Sequence, residues 1–220
     1  MKVIGIEGPE GVGKTTLIKK KKQKLREITK YLFDTDCEHI KGVKLRDLYG
    51  KVDVKINDPT VRYLTVFNVR AKQIITLATE YKNHKNDHSC LYIDRIGFLS
   101  IYRSILNEIK YEHIDKEIIL RTVEKISHIY DQHFESSLSK MLNEILSSVD
   151  GVILILYKDG VDSLEYVLKN DYIFLKNHRS IDWYEFRRLY KIYDETISIF
   201  KILGVYDDNI KKIKIYYTKR

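Results

Sequence analysis

Residues 1–16 constrain the rest of the chain more than any other stretch: Met1-Lys-Val-Ile-Gly-Ile-Glu-Gly-Pro-Glu-Gly-Val-Gly-Lys-Thr-Thr16. Val3, Ile4 and Ile6 make a short, β-branched run without polar alternation, the pattern of a strand covered on both faces. The eight residues that follow Glu7 fit G-x-x-x-x-G-K-[ST]. Gly8, Gly11 and Gly13 free the backbone to turn successive N–H groups inward, which makes a nest for phosphate oxygens. A helix starting directly afterwards points its unpaired N–H groups and the positive end of its dipole at the same spot. Lys14 adds a mobile charge suited to the β and γ phosphates of ATP, and the Thr15 hydroxyl suits a Mg²⁺ that bridges them.

A length of 220 residues suits one α/β domain with a sizeable core, and the expected organisation is a single domain over 1–220. Apolar positions at helical spacing predict a helix over 60–81, built on Val61, Leu64, Phe67, Ile74, Leu77 and Ala78. Tyr31-Leu-Phe-Asp34 reads as a second strand, 41–59 as helix and loop, and 83–89 as a loop. Cys90-Leu-Tyr-Ile93 reads as the third strand. One long helix or two are expected over 115–148, then a strand at 152–156, a short helix at 163–168, a helix over 182–202 and a last strand at 210–217. Strands alternating with helices predict a parallel five-stranded sheet with helices on both faces.

The formal charge of +8 raises the question of nucleic acid, but phosphorylated small molecules explain it equally well. The densest basic run, Lys19-Lys20-Lys21-Lys22 with Lys24 and Arg26, falls on the helix after the glycine-rich loop. Leu17, Ile18, Leu25 and Ile28 supply that helix with a buried stripe, so the lysines read as its solvated face. His84 and His88 stand four apart in a polar loop without further metal ligands nearby. No apolar run is long enough to span a bilayer, and Val3 opens the first strand too early for a signal peptide. Cys37 and Cys90 read as reduced thiols, so a cytoplasmic protein is expected. Its expected partners are nucleotides, not membranes or nucleic acid.

Ligands of parallel sheets bind at the carboxyl ends of the strands. Asp94 and Arg95 follow the third strand there, on the same edge as the glycine-rich loop. A carboxylate and a guanidinium at that place suit reacting phosphates, since arginine can clamp two oxygens at once.

At this point the sequence resembles the thymidylate kinases and their relatives among the nucleoside monophosphate kinases. Glu7-Gly-Pro-Glu-Gly-Val-Gly-Lys-Thr-Thr16 is similar to the family's phosphate loop, and Arg70-Ala-Lys-Gln73 to its substrate helix. Asp94-Arg95-Ile96 matches two residues of its Asp-Arg-Tyr motif. Ser148-Val-Asp-Gly-Val-Ile-Leu-Ile-Leu156 resembles the segment of its fourth strand, and Trp183-Tyr-Glu-Phe-Arg-Arg-Leu-Tyr190 the helix after its lid. The resemblance implies a three-layer P-loop kinase fold with a short lid near 169–182, and a homodimer packed through helices. It implies that Gly8, Glu10, Gly11, Val12, Gly13, Lys14, Thr15 and Thr16 bind ATP, with Thr15 and Asp94 serving Mg²⁺. It places Glu10, Val66, Phe67, Arg70, Asp94, Arg95, Tyr102 and Arg103 at the acceptor. Lys14, Asp94, Arg95 and Arg179 of the lid would carry the transfer, with Lys176 and His178 as substitutes for Arg179. The implied reaction is transfer of the ATP γ phosphate to a deoxynucleoside monophosphate, dTMP first.

The chain also departs from the family. The family's Arg-Glu-Pro-Gly segment is missing, with Arg46 as the one nearby arginine to replace it. Val66 stands where the family has a base-stacking aromatic, and Phe67 lies one position on. Ile96 replaces a tyrosine, and Ala-Tyr-Gln has become Ile101-Tyr102-Arg103. Three alternatives therefore stay open: a deoxynucleoside kinase on the same scaffold, a P-loop polynucleotide-binding protein or 5′-kinase, and a catalytically silent nucleotide sensor.

Overall fold

The computed structural model describes residues 1–20, 22–34, 39–44, 56–83, 89–109, 114–177 and 182–219. Its central strand is β1 (Lys2–Glu7), where Val3, Ile4 and Ile6 are fully buried. Around it run β2 (His39–Lys44), β3 (Ser89–Asp94), β4 (Gly151–Tyr157) and β5 (Ile213–Thr218). The sheet has five strands in the order β2-β3-β1-β4-β5, and every neighbouring pair is parallel. The parallel sheet flanked by helices thus agrees with the sequence expectation.

Side chains of the three inner strands alternate between two cores, as the period of a strand requires. Val3, Leu91, Ile93, Val152, Leu154 and Leu156 face one core; Ile4, Ile6, Cys90, Tyr92, Ile153 and Ile155 face the other. The second core is covered by α1 (Lys14–Lys20) and α2 (Lys22–Phe33) through Leu17, Ile18, Leu25 and Ile28. Lys22, Lys24 and Arg26 are exposed, which is the solvated face expected of the basic run. The first and larger core lies under α3 (Pro59–Asn83), α4 (Phe98–Glu108), α5 (Lys116–His133) and α6 (Leu138–Ser148). Beyond β4 come α7 (Gly160–Lys169), α8 (Tyr172–Asn177) and α9 (Trp183–Asp194), which share a small third core of Leu164, Leu168, Phe174, Phe186 and Tyr190. Two short helices, α10 (Thr196–Ile202) and α11 (Asp207–Ile210), lead into β5.

β1 is followed by helices on one face of the sheet and β3 by a helix on the other. The two strands are neighbours, so the chain parts in opposite directions at their carboxyl ends and opens a cleft there.

Several expectations are corrected. Residues 31–33 continue α2 instead of forming a strand: Leu32 and Phe33 extend the stripe of Leu25 and Ile28, while Tyr31 is exposed. Asp34, with φ 47°, ends that helix, and the second strand lies at 39–44, overlapping the start of the 41–59 range read as helix and loop. Residues 98–108, to which the sequence reading assigns no element, form α4: Ser100, Arg103, Ser104, Asn107 and Glu108 recur at helical spacing along one side, and Phe98, Leu99, Ile101, Tyr102, Ile105 and Leu106 are buried. Of the two readings left open for 115–148, one long helix or two, the second holds, with Ser137 capping the second helix through the Lys140 N–H. The 182–202 helix divides at Glu195, and β5 starts at Ile213 rather than 210. Among the described residues no helix is long and apolar enough to cross a membrane. Cys37, Arg46, His84 and His88 lie outside the described residues.

Candidate active site

The glycine-rich loop leaves β1 and enters α1 at Lys14. Two of its glycines are required for different reasons. A Cβ on Gly8 would lie 2.3 Å from the Ile155 carbonyl oxygen of the adjacent strand. Gly11 has φ 77°, and its Cβ would lie 2.6 Å from a methyl of Leu168 in α7. Neither position admits a side chain without displacing its neighbour.

Lys14 is buried and folded back on the loop. Its ammonium donates to the carbonyls of Gly8 at 2.6 Å and Pro9 at 2.5 Å. Burial lowers its pKa to about 7, and the nearby Arg95 guanidinium pushes the same way, against Glu7, Asp94 and Glu10. The Thr15 hydroxyl donates to Asp94 Oδ2 at 3.2 Å, which joins the start of α1 to the end of β3. Asp94 Oδ1 is buried and has no hydrogen-bond partner among the described residues. A hydroxyl beside an unsatisfied carboxylate oxygen fits a hard, oxygen-seeking cation such as Mg²⁺, which takes few protein ligands and the rest from phosphate and water.

Past Asp94 the backbone turns sharply. The Arg95 N–H donates to the Ile6 carbonyl at 2.8 Å, and Arg95 adopts φ 66°, a left-handed conformation that costs a residue with a Cβ about 1–2 kcal/mol. The turn brings the Arg95 guanidinium to 3.8 Å from Glu10 Oε1, and Arg103 of α4 reaches the same oxygen at 3.9 Å. Arg70 of α3 lies against Gly97, whose Cβ would be 3.6 Å from the arginine's aliphatic stem. Burial lowers the Arg70 pKa to about 10; Glu7 opposes the shift, while Arg95 and Arg103 add to it. Two guanidinium groups therefore meet at Glu10, and that of Arg70 lies close enough to both to interact with them electrostatically.

Not every residue singled out from the sequence reaches this cleft. Phe67 is fully buried, with its ring 6.1 Å from that of Tyr130. Tyr102 is also fully buried: its hydroxyl is 2.8 Å from Thr196 Oγ1 and its ring packs on Tyr193. Both belong to the core, so neither presents a face to an acceptor base. Val66 is half-buried, Val12 is in the core under the loop, and Thr16 is exposed. Lys176 is exposed on α8, whereas His178 and Arg179 lie outside the described residues. Two neighbours of the site were missed. Tyr63, seven residues before Arg70 and hence on nearly the same helical face, has Arg103 6.0 Å from its ring centroid. Glu7 is the other; an acid closing an otherwise apolar strand was the available signal.

The glycine-rich loop and the cleft between β1 and β3 thus lie together at the carboxyl edge of the parallel sheet. Two solved structures are similar to this chain. One is a thymidylate kinase from Ehrlichia chaffeensis, 13% identical with a TM-score of 0.41, covering 100% of this chain and 88% of its own. The other is a deoxyadenosine kinase from M. mycoides with bound dATP, 16% identical with a TM-score of 0.38, covering 98% and 90%. No family model matches the sequence, and no curated protein does.

Proposed function

We propose that this chain moves the γ phosphate of ATP onto a deoxynucleoside monophosphate, with dTMP as the first acceptor to test. One observation carries this reading: Arg70, Arg95 and Arg103 gather beside a phosphate loop that already supplies its own lysine and helix N-terminus. A second cluster of bidentate donors next to the first anion site suits a second phosphate. It favours an acceptor that already bears a phosphate over a bare nucleoside.

In this reading the backbone N–H groups from Gly11 to Thr16 hold the phosphates of ATP. Lys14 leaves the Gly8 and Pro9 carbonyls and turns to the β and γ phosphates. Thr15 and Asp94 would hold a Mg²⁺, which would supply neutralising charge to the phosphates. Arg95 and Arg70 fix the acceptor phosphate in line, and Glu10, released from the two arginines, accepts a hydrogen bond from the acceptor sugar. Arg179 adds positive charge from a lid over 169–182 that excludes water. A homodimer packed through α3 and the 115–148 region belongs to the same reading; light scattering at several concentrations tests it.

The deciding experiment is product analysis by mass after incubation with ATP and Mg²⁺, using all deoxynucleoside monophosphates, their nucleosides and a 5′-hydroxyl oligonucleotide. Diphosphate from a monophosphate supports the proposal and names the base. Product from nucleosides alone, or from the oligonucleotide alone, replaces it with the corresponding kinase.

A further inference from the structure

The reaction above makes no use of Glu7, although its carboxylate is the most completely enclosed acidic group near the cleft. Its side chain is fully buried at the carboxyl end of the central strand. Oε1 accepts from the Gly8 N–H at 3.1 Å and from the Tyr193 hydroxyl at 3.4 Å. Oε2 accepts from the N–H groups of Gly97 at 3.3 Å and Phe98 at 3.2 Å. These last two donors open α4, whose own N-cap residue, Gly97, has no side chain to offer. A helix start needs acceptors for its free N–H groups and favours negative charge. Glu7 meets both needs from a different strand.

Capping alone does not call for an acid in this place. A neutral acceptor would satisfy two N–H groups, whereas a carboxylate adds a buried charge that has to be balanced. The balance comes from the site itself, since Glu7 acts electrostatically on both Lys14 and Arg70. Four cations, Lys14, Arg70, Arg95 and Arg103, converge on this cleft and repel one another. An internal negative charge draws them in instead of letting their heads swing out to solvent.

We propose that Glu7 is a positioning residue of the transfer site: it locks the 95–97 turn and the start of α4 to the phosphate loop, and its charge keeps Arg70 beside Arg95 and Arg103. This rests on the functional reading above. It places the effect of Glu7 mainly on the acceptor side, because the 95–97 turn, the start of α4 and Arg70 belong there. The phosphate loop depends on it through the Gly8 N–H and through its charge on Lys14.

The test compares Glu7→Gln, Glu7→Asp and Tyr193→Phe with the wild type. Affinity for Mg·ATP without acceptor and for the accepted monophosphate without ATP is read by calorimetry, next to turnover. In Glu7→Gln the amide NH₂ faces either the α4 N–H pair or the Gly8 N–H, and the charge is gone. The expected result is an acceptor kcat/KM lower by about 100-fold, carried mostly by KM, with ATP affinity lowered by less than about tenfold through the lost charge beside Lys14. Glu7→Asp keeps the charge on a shorter arm and should recover about tenfold of that loss. Tyr193→Phe keeps the charge and all three backbone bonds, so acceptor KM should stay within about threefold of wild type. A purely structural cap would weaken both ligands by one factor and show no recovery with aspartate; that result overturns the inference. If Glu7→Gln does not fold, Glu7→Asp must still raise acceptor KM more than the ATP Kd, and equal changes overturn the inference as well. A wild type that binds ATP and no monophosphate sinks the functional reading and this inference with it. An active wild type with an unaffected Glu7→Gln sinks the inference alone.

Discussion

The two sides of the cleft are built from different material. The side that would receive ATP in the proposed reaction is backbone: a loop shaped by glycines, a helix start and one lysine that rests on the loop's own carbonyls. The proposed acceptor side is made of side chains, with Arg95 after β3 and Arg103 of α4 meeting over the Glu10 carboxylate and Arg70 of α3 close to both arginines. Backbone geometry is set by short-range sequence and tolerates little change. A constellation of long side chains depends on packing among elements far apart in the chain, and can be retuned one residue at a time. The ATP side is therefore the fixed half of the site and the acceptor side the adjustable one.

Mutations should separate the halves. Lys14→Ala should cost the most, about 1,000-fold in kcat/KM, since it removes the one mobile charge on the transferred group. Steady-state turnover checks it, and undiminished transfer would show that the loop is not the catalytic centre. Arg95→Ala should lower acceptor kcat/KM by about 100-fold and leave the ATP Kd within about threefold. Equal losses for both ligands would erase the proposed division.

A pH titration gives the next largest effect. The folded-state pKa of Lys14, about 7, lies below the ordinary lysine value of 10.5, so the unfolded chain holds a proton between those values that the folded protein lacks. Lys14 therefore contributes stability that grows as pH rises through that window. Binding of ATP needs the charged form, so affinity should weaken by up to about tenfold per pH unit above 7. Calorimetry in buffers of different ionisation enthalpy should show uptake of about one proton per ATP near pH 8. A flat affinity profile would mean that Lys14 stays charged in its buried position.

The smallest expected effect tests the base pocket. Phe67→Leu should lower stability by about 1 kcal/mol without changing the order of preferred acceptors, because Phe67 is a core residue. Tyr63→Ala should do the opposite, raising acceptor KM a few-fold at little cost in stability. Thermal unfolding and the acceptor panel together distinguish the two.

How far each half could be read from sequence follows the same division. Val3, Ile4, Ile6 and the glycine spacing specify local structure, and the strand, loop and helix appear where those residues place them. Tyr31-Leu32-Phe33 carries β-favouring side chains, but the packing of Leu32 and Phe33 on the α2 stripe overrides that preference. Phe67 looked like a stacking platform only by distance from Arg70. Leu64, Phe67, Ala71, Ile74 and Ala78 form one continuous buried stripe, and its spacing already placed that ring in the core. Tyr63 and Arg70 share the neighbouring stripe. The resemblance put Arg103 and Glu10 at one site, but their direct contact could not be read, since it depends on where α4 settles against the loop after β1.

One contact sets a limit on how this protein can be altered or borrowed from. Leu168 of α7 fills the space where any side chain at position 11 would go. The phosphate loop thus has a counterpart more than 150 residues further along the chain, and the two form a matched pair. A graft carrying residues 8–16 into another sheet would bring the sequence of the loop without the surface that shapes it. A smaller residue at 168 would open space beside position 11, but the φ of 77° there would still favour glycine.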